Sequence, residues 1–564
     1  MANFTISPGV ALNEIDNTFL VGQPVQAGAA IIGPSVKGPV EVPTLVTSYS
    51  EYVNMFGDII ESGSNVYSFL TSISANSYFQ SGGTSLLVTR VVSGSYTTAT
   101  SSIVTNYDAT NSFILETISE GEIMNSTSTE VAGGSLLSGS RDNLRWEIVS
   151  SNTSSGNFSL TIRQGNDTTN KKVNLEVFHN VNLDPYSSRF ISRVIGDQKI
   201  NYNPSNEQLE VSGSYPNASR YVRVKNVNYP TPNYLGNNGI AKSEFTGSIP
   251  TIGSGSFGTA IGNIGAGANF YDNISTQTQG LVASNYTNAI TLLNNLESYK
   301  YNMISTPGLT NESHPSTIST LIANTQQRGD SIFIFDLTNS NTGVTSAIGQ
   351  ASTKDTSYAA SYFPWVSLID PSTGRYIWAP ASTLIPGVYA NNDKVSAPWF
   401  APAGINRGGL SSVLRTQFKL TQGNRDNLYE ANINPLATLP RSGVVVFGQK
   451  TLQKDASALD RVNVRRLLIA LKNYIRQISD TVVFEQNTAT TRNSFLSRVT
   501  PYLEGVQQKQ GLYAFKVIMD DSNNSPDVID RNQLIGQIYV QPTRTAEFIS
   551  IDFILQPTGA EFPA

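Results

Sequence analysis

The most regular pattern in the chain is a one-sided apolar stripe that starts just before residue 460. Its members recur at spacings of three to five residues, which is the period of a helix that buries one face. They are Leu459, Val462, Leu467, Leu471, Tyr474 and Ile478. Residues 481–484 then change to the β-branched and aromatic types that are typical of a strand. The sequence therefore predicts a long helix with one buried face, followed by a short strand.

Two separate stretches, residues 21–92 and 281–405, alternate strand-like runs with amphipathic segments. In the first, strands are predicted at residues 29–33, 43–46 and 84–92, with one helix after the capping pair Ser48 and Glu51 and another at 65–79. In the second, helices are predicted at residues 286–299 and 318–325, and strands at 302–305 and 332–336. Because such alternation implies a sheet covered by helices, we predict that both stretches form one discontinuous α/β domain.

The stretch between them, residues 93–280, is rich in Ser, Thr, Asn and Gly. A hairpin is predicted from residues 145–149 and 158–163, with further strands at 172–178 and 221–227 and a glycine-rich loop at 251–267. We interpret residues 93–280 as a β-rich insertion into the α/β domain.

Residues 406–545 are predicted to form a C-terminal α+β core domain. It holds the helix of the apolar stripe, a second helix at about residues 492–509, and strands at 514–519 and 535–540. The predicted fold class is therefore α+β multidomain: a discontinuous α/β domain with a β-rich insertion, and a C-terminal α+β core domain with extended terminal β-strand arms.

The arms are residues 1–20 and 546–564, which read as short extended pieces without a helix nearby. An isolated strand leaves its backbone groups unpaired, so we expect each arm to extend a sheet in another copy of the chain. The alternative is that both ends frame their own domain. The arm residues expected to pair between copies are Phe4, Ile6, Val10, Leu12, Ile15, Ile549, Ile551, Phe553 and Leu555.

Composition excludes several classes of function. The chain of 564 residues has a formal net charge of -5, which disfavours a general nucleic-acid binder. It has no cysteine, which excludes disulfides and thiolate metal sites. No secretion signal or membrane-length apolar run is present, so we expect a protein made in the cytoplasm. From Leu410 onward, 17 Lys and Arg face 14 Asp and Glu, against 20 and 28 before it, so the C-terminal part is the basic part.

Candidate catalytic and ligand motifs are weak. The two histidines, His179 and His314, cannot supply a metal cluster or a triad. Residues 253–258 match G-x-G-x-x-G but follow no convincing strand and open no helix, so we expect a flexible loop. The acidic run 520–527 lacks the calcium-loop spacing and is expected to be a turn, as is the triplet 328–330 (RGD). We assign no catalytic, cofactor-binding or metal residue.

A family resemblance rests on ordered sequence blocks. The run VNVRRLL (462–468) leading to VFEQN (483–487) resembles the C-terminal core of contractile tail sheath proteins from bacteriophages and related injection machines. The KGP turn at 37–39, the AA-x-Y-x-PW segment at 359–365 and the blocks 386–393 and 397–404 also resemble that family, although Gly404 stands where Asn is usual. The resemblance spans nearly all of the chain except the β-rich insertion.

The resemblance implies a structural subunit, not an enzyme, that needs no cofactor. It implies polymerisation as stacked rings of six copies around a tail tube, followed by contraction that drives the tube through the target cell envelope. The implied partners are other copies, the tail tube protein, and baseplate and tail terminator proteins, with no direct nucleic-acid contact and no stable membrane insertion. The implied location is the virion, after assembly in the host bacterial cytoplasm, with the insertion facing outward.

Positive side chains on the two C-terminal helices are the expected tube contacts, because sheath cores lie against the tube. They are Arg461, Arg465, Arg466, Lys472 and Arg476 on the first helix and Arg492, Arg498 and Lys509 on the second. The alternative is an ordinary solvated face. For the whole chain the alternatives are a β-rich virion decoration or receptor-binding protein, and a carboxylate hydrolase, which the lack of a placed acid–base pair disfavours.

Overall fold

The computed structural model describes residues 25–62, 65–105, 110–131, 133–262, 279, 281–440 and 442–548. All the predicted arm residues, from Phe4 to Ile15 and from Ile549 to Leu555, lie outside the described residues. The chain is mixed α/β and multidomain.

The first described stretch contains six strands and two helices. They are β1 (Val25–Ala27), β2 (Ala29–Gly33), β3 (Thr44–Val46), α1 (Tyr49–Phe56), β4 (Ile59–Ser62), β5 (Asn65–Ser68), α2 (Leu70–Gln80) and β6 (Leu86–Arg90). Ser48 caps α1 as expected, since its Oγ accepts a hydrogen bond from the Glu51 amide at 3.1 Å. The predicted helix at 65–79 is too long at its start, because β5 pairs with β4 as a hairpin.

The next stretch is almost entirely strands. Its elements are β7 (Thr98–Val104), β8 (Asn111–Glu120), β9 (Leu144–Asn152), β10 (Asn157–Gln164), β11 (Asn174–Asn182), α3 (Ile191–Ile195), β12 (Lys199–Asn203), β13 (Gln208–Ser212), β14 (Val222–Val227), α4 (Ser243–Thr246) and β15 (Gly253–Ser256). Sheets β11-β10-β9-β15 and β14-β8-β7 enclose one core that includes Phe113, Leu160 and Val224. The predicted hairpin is present as β9 and β10.

The expectation of a loop at residues 253–258 is wrong, because β15 pairs antiparallel with β9. A Cβ atom on Gly255 would lie 2.6 Å from the Trp146 ring. Glycine is therefore required there for close approach to an aromatic ring. Since β15 opens no helix, the motif has no phosphate-binding geometry.

The third stretch returns to alternating strands and helices. Its elements are α5 (Thr287–Leu293), β16 (Tyr299–Tyr301), β17 (Met303–Thr310), α6 (Pro315–Arg328), β18 (Ile332–Asp336), α7 (Val344–Ala351), β19 (Ala359–Phe363), β20 (Val366–Ile369), β21 (Tyr376–Ala379), α8 (Ile385–Val395), β22 (Val413–Thr416), α9 (Gln422–Glu430), β23 (Asn434–Leu439) and β24 (Gly443–Val446). The predicted helix at 286–299 is too long, because its last residue starts β16, which pairs with β1.

One eight-stranded sheet, the main sheet, joins the first and third stretches in the order β24-β23-β19-β18-β17-β2-β6-β3. Its interior pairs are parallel, and β3 and β24 add antiparallel edges. Alternate residues of a strand enter different cores: Ile332 and Ile334 share one with residues of α1, α2 and α8, while Phe333 and Phe335 share the other with residues of α5, α6 and α7. The main sheet is therefore covered by helices on both faces.

Polar contacts hold the β-rich stretch against the main sheet. Arg90, at the end of β6, is fully buried and donates to the carbonyls of Gly38 at 2.6 Å and Glu120 at 2.9 Å. Burial lowers the pKa of Arg90 to about 10. Lys37 and Asp142 add an ion pair of 3.2 Å.

The last stretch is a helical hairpin followed by a strand hairpin. Its elements are α10 (Val462–Asp480), α11 (Ala489–Gln508), β25 (Leu512–Ile518), α12 (Pro526–Asp530) and β26 (Gln537–Pro542). The predicted strand at 481–484 is wrong: these residues form the turn between α10 and α11. Residues with strand propensity form a strand only where their side chains pack on a paired, half-buried surface. Here Val483 and Phe484 are instead 59% and 103% exposed.

Candidate assembly surface

Helix α10 connects two hydrophobic cores. Val462 and Ile469 belong to the core on one face of the main sheet, whereas Leu467 and Leu471 pack in a second core with Phe495 of α11. The apolar stripe read from the sequence is therefore real, but it is shared between two partners. Helix α10 therefore links the main sheet to its hairpin partner α11.

Arg465 and Arg466 do not form the solvent-facing basic surface that was expected. Each is only 4% exposed. The Arg466 guanidinium contacts the Asp393 carboxylate of α8 at 2.5 Å and lies 4.6 Å from the centre of the Tyr389 ring. Burial by itself lowers the pKa of Arg466, but Asp393 raises it above its usual value. The expectation is wrong at these two positions because their side chains join α10 to the main body.

Arg465 is held in a similar way to Arg466, on a neighbouring part of the α10 surface. Its guanidinium lies 4.0 Å from the centre of the Tyr358 ring and donates to the Ser357 hydroxyl. Burial lowers the pKa of Arg465. Both arginines are positioned by aromatic rings, which favour the planar, weakly hydrated guanidinium.

Arg461 and Arg492 are also engaged within the chain. Arg461 forms ion pairs with Asp460 at 3.0 Å and Glu547 at 2.8 Å. Arg492 is 6% exposed and pairs with Asp521 at 2.6 Å. Within the chain these two positions therefore add no unpaired charge to the basic face, because nearby carboxylates neutralise them.

Lys472, Arg476, Arg498 and Lys509 are the predicted positions that remain exposed. The Lys472 ammonium donates to the Tyr358 hydroxyl at 3.1 Å, and Arg498 donates to the Thr481 hydroxyl at 3.0 Å. Within the described residues none of the four has a carboxylate within ion-pair distance. Their charge is available to an acidic partner.

The strand hairpin β25–β26 is a sheet with open edges. Its pairing runs from Leu512 opposite Pro542 to Ile518 opposite Gln537, and in the described part of the chain no third strand joins it. Phe515 and Val540 pack towards α11, while Tyr513 and Tyr539 are 65% and 56% exposed. A two-stranded sheet is marginally stable alone, and its unpaired edges can accept a strand from another chain.

The usual ligand position of a parallel sheet is occupied by the chain itself. Ligands of open α/β sheets bind beyond the carboxyl ends of the strands. Here Asp336, the last residue of β18, is buried and accepts hydrogen bonds from the amide of Ser382, at 3.0 Å, and from its hydroxyl. Burial raises the pKa of Asp336 to about 7. The sequence carries no signal for this contact, because the two residues are 46 positions apart.

Metal sites and membrane spans are not evident in the described ranges. No group of three His, Cys, Asp or Glu side chains there could hold a metal ion. No helix among the same residues combines the length and apolar character needed to cross a membrane. The turn expected at 328–330 is confirmed, and its Arg328 and Asp330 form a buried ion pair of 2.9 Å.

Comparison with known protein families matches the region of the chain that contains these surfaces. Residues 281–452 match the family model of the phage tail sheath protein central domain, and residues 454–556 match that of the phage tail sheath C-terminal domain. Nearly half of the chain is thus similar to the domains of phage tail sheath proteins. The matched residues contain the later strands of the main sheet, the α10–α11 hairpin and the open β25–β26 sheet.

Individual relatives agree with this assignment. The chain is 39% identical over 225 residues to the tail sheath protein of Vibrio phage KVP40, covering 39% of this chain and 34% of that protein. It is 40% identical over 185 residues to the tail sheath protein of Enterobacteria phage T4, covering 33% of this chain and 28% of that protein. The chain thus matches about a third of the length of these relatives.

A solved structure shows the same fold. The sheath tail protein of Listeria innocua superposes with a TM-score of 0.52 over 92% of this chain and 96% of that chain, at 12% identity. The likeness concerns the fold, and it includes the mixed α/β multidomain character predicted from the sequence.

Proposed function

We propose that this chain is the structural subunit of a contractile tail sheath. Copies polymerise as stacked rings around a tail tube and contract to drive the tube through the target cell envelope. The observation that carries the proposal is the match of residues 281–556 to the two sheath domains. The alternative, a β-rich virion decoration or receptor-binding protein, is not favoured, because it accounts only for the stretch outside these matches.

The division of the chain into domains is also a proposal. Residues 21–92 and 281–405 form the discontinuous α/β domain, 93–280 the outward-facing β-rich insertion, and 406–545 the C-terminal core domain, with residues 1–20 and 546–564 as arms. The separate core of the β-rich stretch supports the insertion, and the main sheet, which joins 21–92 to 281–405, supports the discontinuous domain; β23 and β24 also belong to that sheet, although they lie within 406–545.

The open β25–β26 sheet is the proposed receiver of arms from neighbouring copies. Both its edges are unpaired in the described part of the chain, and alternating apolar residues such as Ile551 and Phe553 suit a half-buried added strand. Adding a strand satisfies backbone hydrogen bonds without a large flat interface. Subunits linked in this way can stay joined while their bodies move between two packings.

The exposed cations Lys472, Arg476, Arg498 and Lys509 are the proposed tube contacts. Their attraction to an acidic tube is screened over about 8 Å at physiological salt, so it can orient a subunit and still be broken on contraction. The remaining proposed partners are other copies in six-membered rings, and baseplate and tail terminator proteins, in a virion assembled in the host cytoplasm. Contraction then draws its energy from contacts between subunits and needs no enzyme activity or cofactor.

Electron microscopy of the purified protein tests the proposal. The full-length chain at high concentration is expected to form hollow tubes, and a variant limited to residues 25–548 is expected to form none because it lacks both arms. Monomers alone in both preparations would refute the proposal.

A further inference from the structure

A short segment after β26 crosses from the strand hairpin to the main body of the protein. This segment, residues 543–547, is called the strap. At its start, Thr543 donates from its amide to the Gly511 carbonyl at 3.2 Å and from its hydroxyl to the Gln510 carbonyl at 2.7 Å. At its end, Glu547 reaches residues that pack beside the main sheet. The strap therefore has one end on each side of the boundary between the two parts.

Glu547 is held by three donors from three different elements. Its carboxylate accepts hydrogen bonds from the Tyr429 hydroxyl at 2.6 Å, the Gln449 amide group at 2.9 Å and the Arg461 Nε at 2.8 Å. Tyr429 belongs to α9, Gln449 follows β24, and Arg461 immediately precedes α10. The side chains of Glu547 and Arg461 are only 18% and 25% exposed. These four residues are called the clasp.

Charge-assisted bonds of this kind are about twice as strong as neutral ones. The electrostatics of the clasp agree with its geometry. Burial alone would raise the pKa of Glu547, but the hydrogen bonds from Tyr429, Gln449 and Arg461 lower it below its usual value. Burial and the same hydrogen bond raise the pKa of Tyr429. The carboxylate is therefore held in its charged form.

Backbone contacts tie the clasp to α10. The Val462 amide, in the first turn of α10, donates to the Gln449 carbonyl at 2.8 Å, and the Thr451 amide donates to the Asp460 carbonyl at 2.9 Å. The residue after the clasp, Phe548, is 83% exposed. Exposure thus begins directly beyond Glu547, at a point joined to the start of α10.

We propose that Glu547 anchors the root of the C-terminal arm, so that a pull on the arm from a neighbouring copy acts on α9 and the start of α10. Without the clasp, the same pull would reach the hydrogen bonds between β26 and β25 one after another from the open end of the hairpin. The inference rests on the proposed function for the source of the pull. It also places the first free residue of the arm at Phe548, whereas the arm predicted from the sequence begins at residue 546.

Hydrogen exchange on the unassembled full-length chain tests the anchor itself. E547A is expected to speed exchange of the strap's hydrogen-bonded amide, that of Thr543, by about tenfold or more, the factor set by losing a hydrogen bond to a charged group. E547Q and Y429F each weaken the clasp and should show smaller increases. The control is E504Q, on the exposed surface of α11, which should leave the strap unchanged. Equal exchange of the strap in E547A and the parent chain would overturn the proposal.

Stability of assembled tubes tests the transmission of the pull. Tubes of E547Q are expected to come apart at a lower urea concentration than tubes of the parent chain or of E504Q. Equal resistance of the E547Q tubes would overturn the role of the clasp in carrying the pull. If the parent chain formed no tubes, the proposed function would fail, and the exchange measurement would still decide whether Glu547 anchors the strap.

Discussion

The buried pair Arg466–Asp393 should respond unequally to the loss of either partner. The Arg466 side chain is 4% exposed and the Asp393 side chain is 28% exposed. D393N leaves a guanidinium in the interior without its carboxylate, with only the Tyr389 ring, at 4.6 Å, to stabilise the charge. R466M leaves a carboxylate that water can still reach. We therefore expect D393N to be the more damaging change.

Removing one partner from a buried ion pair destabilises a protein by about 3–5 kcal/mol, and D393N should fall in this range. R466M loses a hydrogen bond to a charged group and a ring contact but leaves no buried charge, so a loss of about 1–3 kcal/mol is expected. In the double variant neither charge remains, and its loss should be smaller than the sum of the two single losses.

Urea unfolding of the three variants measures these differences. Because the chain has several cores, hydrogen exchange of the amides in α8 and α10 is used to follow the unfolding locally. The matched control is D527N, which breaks the pair between Asp527 and Arg531, whose side chains are 72% and 67% exposed. It should change stability by no more than about 0.5 kcal/mol. Equal losses in D393N and R466M, or additive losses in the double variant, would refute the reasoning. Reversing Arg466 to Glu would place two carboxylates together in the interior, and so it tests folding and not tube binding.

Three further predictions concern other parts of the chain. The pKa of Asp336 is raised from 3.8 to about 7. Its contribution to stability is therefore complete below about pH 4 and is lost as the pH rises through 7, a fall worth about 4 kcal/mol. D336N should flatten this fall in urea unfolding measured from pH 4 to 8. G255A should destabilise the β-rich stretch by about 1–3 kcal/mol in chemical denaturation because its Cβ meets Trp146, whereas G253A, which meets nothing within 4 Å, should be nearly neutral. K472E combined with R476E should weaken cosedimentation with tail tubes while tube-free polymers still form, and unchanged cosedimentation would remove this surface from the proposed contact.

Sequence periodicity was sufficient wherever the deciding interactions are local or repeat along one element. The stripe of α10, the Ser48 cap of α1 and the buried strand β18 are of this kind, because a helix or strand brings its own residues to one face whatever lies opposite. The ordered blocks from 359 onward likewise carried the family resemblance, since each block is a continuous run of residues.

Tertiary structure decided what each face meets. The period of α10 shows that Arg465 and Arg466 lie off the apolar stripe, but their burial depends on Tyr358 and Asp393, which approach from elements about 70 to 110 residues away. The same holds for two short segments. Residues 253–256 form a strand because they pair with β9, whereas residues 481–484 form a turn and pair with no strand in the described part of the chain. The sequence by itself determined the elements whose pattern is local and the family resemblance, whereas the short segments that need a partner strand and the partner of each charged side chain depended on contacts between residues far apart in the chain.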